Sequence, residues 1–257
     1  MELKKFNDQV WLAKVELDGY DVRGALIRTE HGVILVDTLS HPCDMAPLLP
    51  LIQDLPLTIV YTHADWDHIW GTGGLPWEDA RIIGHTACLE RFNSDVPVTL
   101  RDMQGAAPGR WEGIKLIPPT ETFSREYCLD ETLGVTLHPL PGHTPDSIVV
   151  FLEKQGILFM GDTVETPFPC LEKGSPIFQW IAELERWEAD PRVKIVIPAH
   201  GDMGGTGIIR QTIAYLKALS EGGAPGGVEL LTKFYRDTHE ANICIAREIF
   251  TRGRTHD

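Results

Sequence analysis

Apolar and polar positions alternate in short runs at the start of the chain. Residues 10–17, 22–29 and 33–36 are rich in β-branched and apolar side chains and are separated by Asp18-Gly19 and His31-Gly32, so they read as an antiparallel strand meander. The pattern turns helical over residues 42–53, and a strand follows at 58–61. Next come a strand at 81–84, a helix at 86–92 and a weakly patterned stretch whose Pro97, Pro108, Pro118 and Pro119 predict chain lying over the surface. A second run of strands occupies 123–129, 133–140, 147–152 and 157–160. A helix at 177–188, a strand at 194–197 and a helix at 207–220 complete the pattern, and a final helix at 228–250 follows the glycine-rich stretch 222–227. Two halves of strands followed by helix can pack sheet against sheet with helices outside. Residues 1–221 are expected to form that domain, with 222–257 as a helical appendage packed on it.

Composition narrows the function. The chain has 257 residues, and its 37 acidic against 23 basic side chains give a formal charge of −14, a field that disfavours nucleic-acid binding. Cys43, Cys88, Cys128, Cys170 and Cys244 are widely spaced without a Cys-x-x-Cys pair and read as reduced structural thiols. The first residues lack the continuous apolar core of a signal peptide, and no stretch is apolar enough to span a bilayer. The expectation is a cytoplasmic protein acting on a small molecule, with no nucleic acid and no membrane as partner.

The chemistry sits where strands end. TIVYT runs into HADWDH, TLHPL into PGHT, ILFM into GDT and IVIP into AHGD. If these strands lie side by side, their ends form one rim on which His63, Asp65, Asp67, His68, His143, Asp162 and His200 converge. Any one of these histidines alone would more often be structural, and Asp162 alone could merely cap a turn. Together they are an imidazole and carboxylate set suited to zinc, iron or manganese. Two divalent ions roughly 3.5–4 Å apart can share a hydroxide of lowered pKa and polarise the bond it attacks.

These four motifs resemble the metallo-β-lactamase superfamily, whose signature is His-x-His-x-Asp-His followed by a His, a bridging Asp and a final His. The resemblance covers residues 10–220 and implies a four-layer αββα sandwich, an α/β (α+β) fold of two mixed β-sheets flanked by helices. By the family's positions, His63, Asp65 and His143 would bind a first metal and Asp67, His68 and His200 a second, with Asp162 bridging. Asp67 would be the catalytic residue, orienting the nucleophile and receiving protons. The resemblance also leaves a homodimer open. One position departs from the pattern: Asp65 stands where the second histidine is expected. Zinc is the favoured metal, and the hard anionic oxygen of Asp65 brings in iron or manganese.

The function expected is hydrolysis of an ester-like bond, a thioester or lactone before a phosphodiester or phosphonate. A glyoxalase II-like thioesterase would want a basic C-terminal region, and here Lys233, Arg236, Arg247, Arg252 and Arg254 are all it offers. Asp65 motivates a second class, a di-iron oxidoreductase related to flavodiiron proteins, which ranks lower because no flavin domain is in view. A metal-binding sensor without catalysis is the third. His31, His41, His138 and His256 are expected to be structural or exposed, and His85 to start a helix. His239 shares a helix with Tyr235, a face that either closes over the cleft or stays exposed. Trp66, Trp70 and Phe168 would line an apolar pocket or join the core. Cys170 has no partner motif and reads as a small hydrophobe.

Overall fold

The computed structural model describes residues 1–223 and 226–253. Arg254 and His256, and the centre of the glycine-rich stretch at 224–225, lie outside the described residues. Among the described residues, twelve strands form two sheets. The first is seven-stranded in sequence order: β1 (Glu2–Lys5), β2 (Val10–Glu16), β3 (Asp21–Arg28), β4 (Val33–Val36), β5 (Leu57–Val60), β6 (Arg81–His85) and β7 (Glu121–Phe123). It is antiparallel from β1 to β4 and parallel from β4 to β7. The second sheet runs β12 (Ile195–Pro198), β11 (Ile157–Gly161), β10 (Ile148–Leu152), β9 (Val135–Pro139), β8 (Tyr127–Asp130), with only β11 and β12 parallel.

The two-residue period of a strand sorts its side chains onto opposite faces. In β4, Ile34 and Val36 enter the layer between the sheets, where they meet Val135, Val150 and Ile197 of the other sheet. Val33 and Leu35 face outward and pack with Met45, Leu48, Ile69 and Trp70 of the segments covering that side. The second sheet does the same: Val150 and Phe159 point inward, whereas Phe151, Leu158 and Met160 meet Trp180, Leu184 and Leu216. Strands buried on both faces read as continuous apolar runs, which is why VILV, IVVFL and ILFMG carry no polar position. The result is the four-layer sandwich. Each Val or Ile in the middle layer contributes roughly 1.5–3 kcal/mol by leaving water.

The helices are α1 (Leu49–Ile52), α2 (Trp66–Ile69), α3 (Thr86–Phe92), α4 (Val96–Ala106), α5 (Ile177–Ala189), α6 (Gly207–Ser220) and α7 (Lys233–Gly253). Several differ from the sequence expectation. The stretch at 42–53 is mostly a 3-10 helix, Pro42–Leu48, because Pro47 and Pro50 supply no N–H for α-helical bonding. The segment expected to lie as surface chain holds α4, and Pro97 sits in its first turn, where a missing N–H costs nothing. The single strand expected at 123–129 is two strands, β7 and β8, that belong to different sheets. The final helix begins at Lys233, after a short 3-10 turn Val228–Leu230. It rests on α6, and its Tyr235 and Asn242 reach the 165–171 loop: Tyr235 Oη donates to Glu165 Oε1 at 3.2 Å, and Asn242 accepts from Leu171 N at 2.8 Å.

At one end the sheets are stitched together. Arg23 of β3 donates to the carbonyls of Pro198 and Gly201 at 2.8 and 2.9 Å, and Asp21 accepts from Gly201 N at 2.9 Å. Gly201 has φ +81°, and a Cβ there would lie 2.2 Å from the Thr166 carbonyl oxygen, so only glycine lets the chain turn straight after His200. No helix among the described residues is long and apolar enough to cross a membrane.

Candidate metal centre

All seven sequence-predicted residues meet at the rim beside this seam. His63 and Asp65 follow β5, and Asp67 and His68 stand in the first turns of α2, so one short loop carries four of them. His143 lies in the β9–β10 loop, Asp162 directly follows β11, and His200 comes two residues after β12. Three groups have donor atoms within 4.8 Å of one another: His63 with Asp65 and His143, Asp67 with His68 and His200, and His63 with His68 and Asp162. The first two groups are separate triads, and Asp162 stands between them. Its Oδ2 is 3.6 Å from His63 Nε2, 3.7 Å from His143 Nε2 and 3.0 Å from His200 Nε2, and its Oδ1 is 3.2 Å from His68 Nε2.

Each histidine turns Nε2 inward because its other nitrogen is held from behind. His68 Nδ1 donates to Asp37 Oδ2 at 2.8 Å, His143 Nδ1 to the Cys170 carbonyl at 2.9 Å, and His200 Nδ1 to the Asp21 carbonyl. His63 Nδ1 stands 3.1 Å from Thr62 Oγ1. Asp37 is itself fixed by Thr62, which donates from N at 2.8 Å and from Oγ1 at 2.7 Å. Such outer partners fix the tautomer and direct the free nitrogen at a metal.

Buried polar atoms without partners cost free energy, so they need an explanation. His63 Nε2, His68 Nε2 and Asp162 Oδ1 are buried with no hydrogen-bond partner among the described residues. These are donor atoms of the type a divalent cation takes, and they fit one. The charges tell the same story. Burial opposes ionisation of Asp65 and Asp162, yet the facing histidines hold both carboxyls well below the usual range, His63 and His143 acting on Asp65 and His200, His68 and His63 on Asp162. Burial likewise opposes charging the imidazoles, but Asp65 lifts His143 and Asp162 lifts His200 to about 10, and Asp162 and Asp37 lift His68 well above its ordinary value. The cluster thus holds protons where a cation would replace them.

Several residues here went unnoticed in the sequence. Arg91 of α3 meets Asp65 Oδ1 at 2.7 Å, Asp95 Oδ2 at 2.8 Å and Asp146 Oδ1 at 3.1 Å. Asp146 is fully buried and also accepts from Ala64 N at 2.8 Å. Glu165 is a buried carboxyl that accepts from Tyr235 Oη and from Cys170 N, and burial pushes it up to about 7. Asp37 alone carried a signal, since it follows the apolar run VILV as the seven follow theirs.

The other residues singled out take varied places. Trp70 and Phe168 belong to the cores, Phe168 stacked on Tyr215 with centroids 4.5 Å apart, and neither walls the site. His239 is buried rather than exposed, 3.0 Å from Tyr215 Oη. His85 caps α3 by accepting from Ala87 N. His41 caps the 3-10 helix, His31 is exposed, and His138 is half-buried against Trp187. Cys170 acts through its backbone, and burial holds its thiol well above the usual range. Trp66 does line a cavity, of about 310 Å³, shared with Tyr20, Met103, Trp111, Arg110 and Phe234. Tyr20 sits edge-on to His200 at 5.3 Å, so this cavity adjoins the metal centre.

Comparison with known proteins agrees with the geometry. The sequence matches the metallo-beta-lactamase superfamily over residues 21–200, and the chain belongs to that family. The metallo-beta-lactamase type 2 of Bacteroides fragilis is 32% identical over 234 residues, covering 82% of this chain and 84% of its own. A hydroxyacylglutathione hydrolase of Anaeromyxobacter dehalogenans is 32% identical over 110 residues, 42% of this chain and 33% of its own. Among solved structures, the metallo-beta-lactamase FIM-1 from Pseudomonas aeruginosa in its mono-zinc form superposes with a TM-score of 0.65 at 19% identity, over 84% of this chain and 94% of that one. The chain is a metal-dependent hydrolase of this superfamily.

Proposed function

We propose that this hydrolase cleaves an ester-like bond, a thioester or lactone, carried by a small molecule with an apolar acyl part. The two triads joined by Asp162, with the inward Nε2 atoms of His63 and His68 left without a hydrogen-bond partner, are the observation that carries it. His63, Asp65 and His143 would hold one divalent ion and Asp67, His68 and His200 the other, with Asp162 placed between the two triads. Zinc is favoured by the imidazole-rich set, with iron or manganese admitted by Asp65. When bound, the pair supplies a water acidic enough to ionise near neutral pH and a Lewis acid for the carbonyl oxygen.

The protein's own groups do the rest. Asp67, buried and 3.8 Å from both His68 and His200, orients the attacking water and takes its proton. Trp66, Tyr20 and Phe234 offer the acyl part an apolar wall and exclude water from the carbonyl. Asp67→Ala is expected to lower kcat by about 10²–10⁴-fold, with the melting temperature of the metal-free protein held. Undiminished turnover would remove Asp67 from the mechanism. Residues 222–257 we take as an appendage of the same domain, since Phe234 and Tyr235 face this region.

A panel of S-lactoylglutathione, acyl lactones and β-lactams, with elemental analysis of protein purified without added metal, tests the reading. Turnover of a thioester or lactone by protein holding zinc or manganese supports it. A second reading, β-lactam hydrolysis, is favoured by the identity with the Bacteroides fragilis relative, and cleavage of the β-lactam alone would establish it. Two irons with oxygen consumption would replace both by the redox alternative. A fully metallated protein inert on the whole panel would leave the sensor.

A further inference from the structure

An aspartate and a histidine are unlike donors. Imidazole presents one nitrogen and no charge, whereas a carboxylate presents two oxygens and a negative charge, so it can chelate one ion, swing between two, or lower the Lewis acidity of the ion it binds. Asp65 is the one of the three carboxylates at the site that meets an arginine among the described residues. Arg91 Nη2 lies 2.7 Å from Asp65 Oδ1, while Asp65 Oδ2 turns to His143 Nε2 at 3.1 Å and His63 Nε2 at 3.5 Å. One oxygen is engaged and the other faces the triad.

Arg91 is itself held rigidly. Its Nε and Nη2 bond to Asp95 at 3.0 and 2.8 Å, and its Nη1 bonds to the fully buried Asp146 at 3.1 Å. The other Asp146 oxygen accepts the N–H of Ala64, the residue before Asp65. The guanidinium therefore registers α3, the β9–β10 loop and the ligand loop against one another. A planar cation with fixed donors suits this task better than a lysine would.

We propose that Arg91 is a positioning residue that makes Asp65 bind like the histidine it replaces: by occupying Oδ1 it leaves Oδ2 as a single-point ligand. The first triad would then present an ion with one oxygen and two nitrogens. The inference rests on the reading of the seven residues as metal ligands, and it concerns one of the two triads only.

Zinc affinity, measured with zinc alone by chelator competition, tests it in two frames: His200→Ala, which leaves the first triad, and His143→Ala, which leaves the second. Arg91→Met is expected to weaken zinc by about 10–100-fold in the first frame and to leave the second unmoved. In the first frame carrying Asp65→His, where no carboxylate needs steering, Arg91→Met is expected to change nothing. An equal loss with Asp65 in place and with the Asp65→His substitution would make Arg91 merely structural and overturn the proposal, as would an unchanged or raised affinity in the first frame. Because Arg91→Met strands Asp146, the pair Arg91→Met/Asp146→Asn removes both charges while keeping an acceptor for Ala64 N. It is expected to show the same loss with native near-UV circular dichroism, and full zinc affinity in it would equally overturn the proposal. Failure of both frames to bind zinc would instead sink the ligand assignment itself.

Discussion

The two triads share a loop and a bridging aspartate, yet they are built differently. In the second, Asp67, His68 and His200 are all buried, and the supports behind the two histidines come from strand ends: Asp37 just after β4 and the carbonyl of Asp21 at the start of β3. In the first, Asp65 keeps 20% of its side chain exposed, its support is a side chain from α3, and His143 leans on a carbonyl of the 165–171 loop. A donor fixed by sheet backbone loses little entropy on binding, whereas one fixed through long side chains and loops must be ordered. On the reading of both triads as metal sites, the second is expected to be the preformed one and the first to set selectivity and exchange.

Four measurements break or sharpen this contrast. Asp162→Ala removes what the triads share, so hydrolysis should fall by more than the roughly 10–100-fold that follows loss of an outer partner, and zinc should weaken at both. Asp37→Ala should act on one side only: about 10–100-fold weaker zinc at the second triad, with about 1–3 kcal/mol of stability lost by stranding His68 and the Thr62 N–H, read by denaturant titration. Chelation should strip the first triad before the second in a stopped-flow release experiment. At metal concentrations near 100 times Kd each ion adds about 2.7 kcal/mol, or roughly 5–10 °C in Tm at 2–4 °C per kcal/mol.

The smallest effect is that of pH on Glu165. Burial raises this carboxyl to about 7 in the folded chain, above the roughly 4.3 of an unfolded glutamate, so the folded state holds its proton more tightly. The stabilisation this gives is complete below about pH 4 and is lost as pH climbs through about 7. In Glu165→Gln, which cannot ionise, the metal-free protein should gain Tm relative to wild type as pH rises from about 5 to about 8. A difference that stays flat over that range would show that Glu165 titrates normally.

The residues expected as ligands were legible in the sequence because each lies just past the end of a strand, and a strand buried on both faces, as β11 is, announces itself as an apolar run ending in a polar turn. The residues behind them were not. Arg91 sits on a short helix and reaches Asp146 55 positions away, and no local pattern encodes a pairing of that separation. β1 was missed because ELKK is an exposed edge strand without apolar alternation. α4 was missed because its apolar stripe of Val96, Leu100 and Met103 is only partly buried and opens on Pro97, which reads as a helix breaker. The split of β7 from β8 is a change of sheet within one run, decided by tertiary packing. Leu39 adopts a left-handed φ of +58°, a conformation that an aliphatic residue does not advertise.

The seam made by Arg23, Asp21 and the turn after His200 has a mechanical meaning. It works like the stitched spine of a book whose covers are the two sheets, with the metal centre set at the spine and the far edges free to breathe. Prising the covers apart there means cutting the arginine's bonds to Pro198 and Gly201 and withdrawing His200 from Asp21 together. Amide protons along β3 and β12 should therefore exchange last and in step, and a protease should find its first cuts far from the spine.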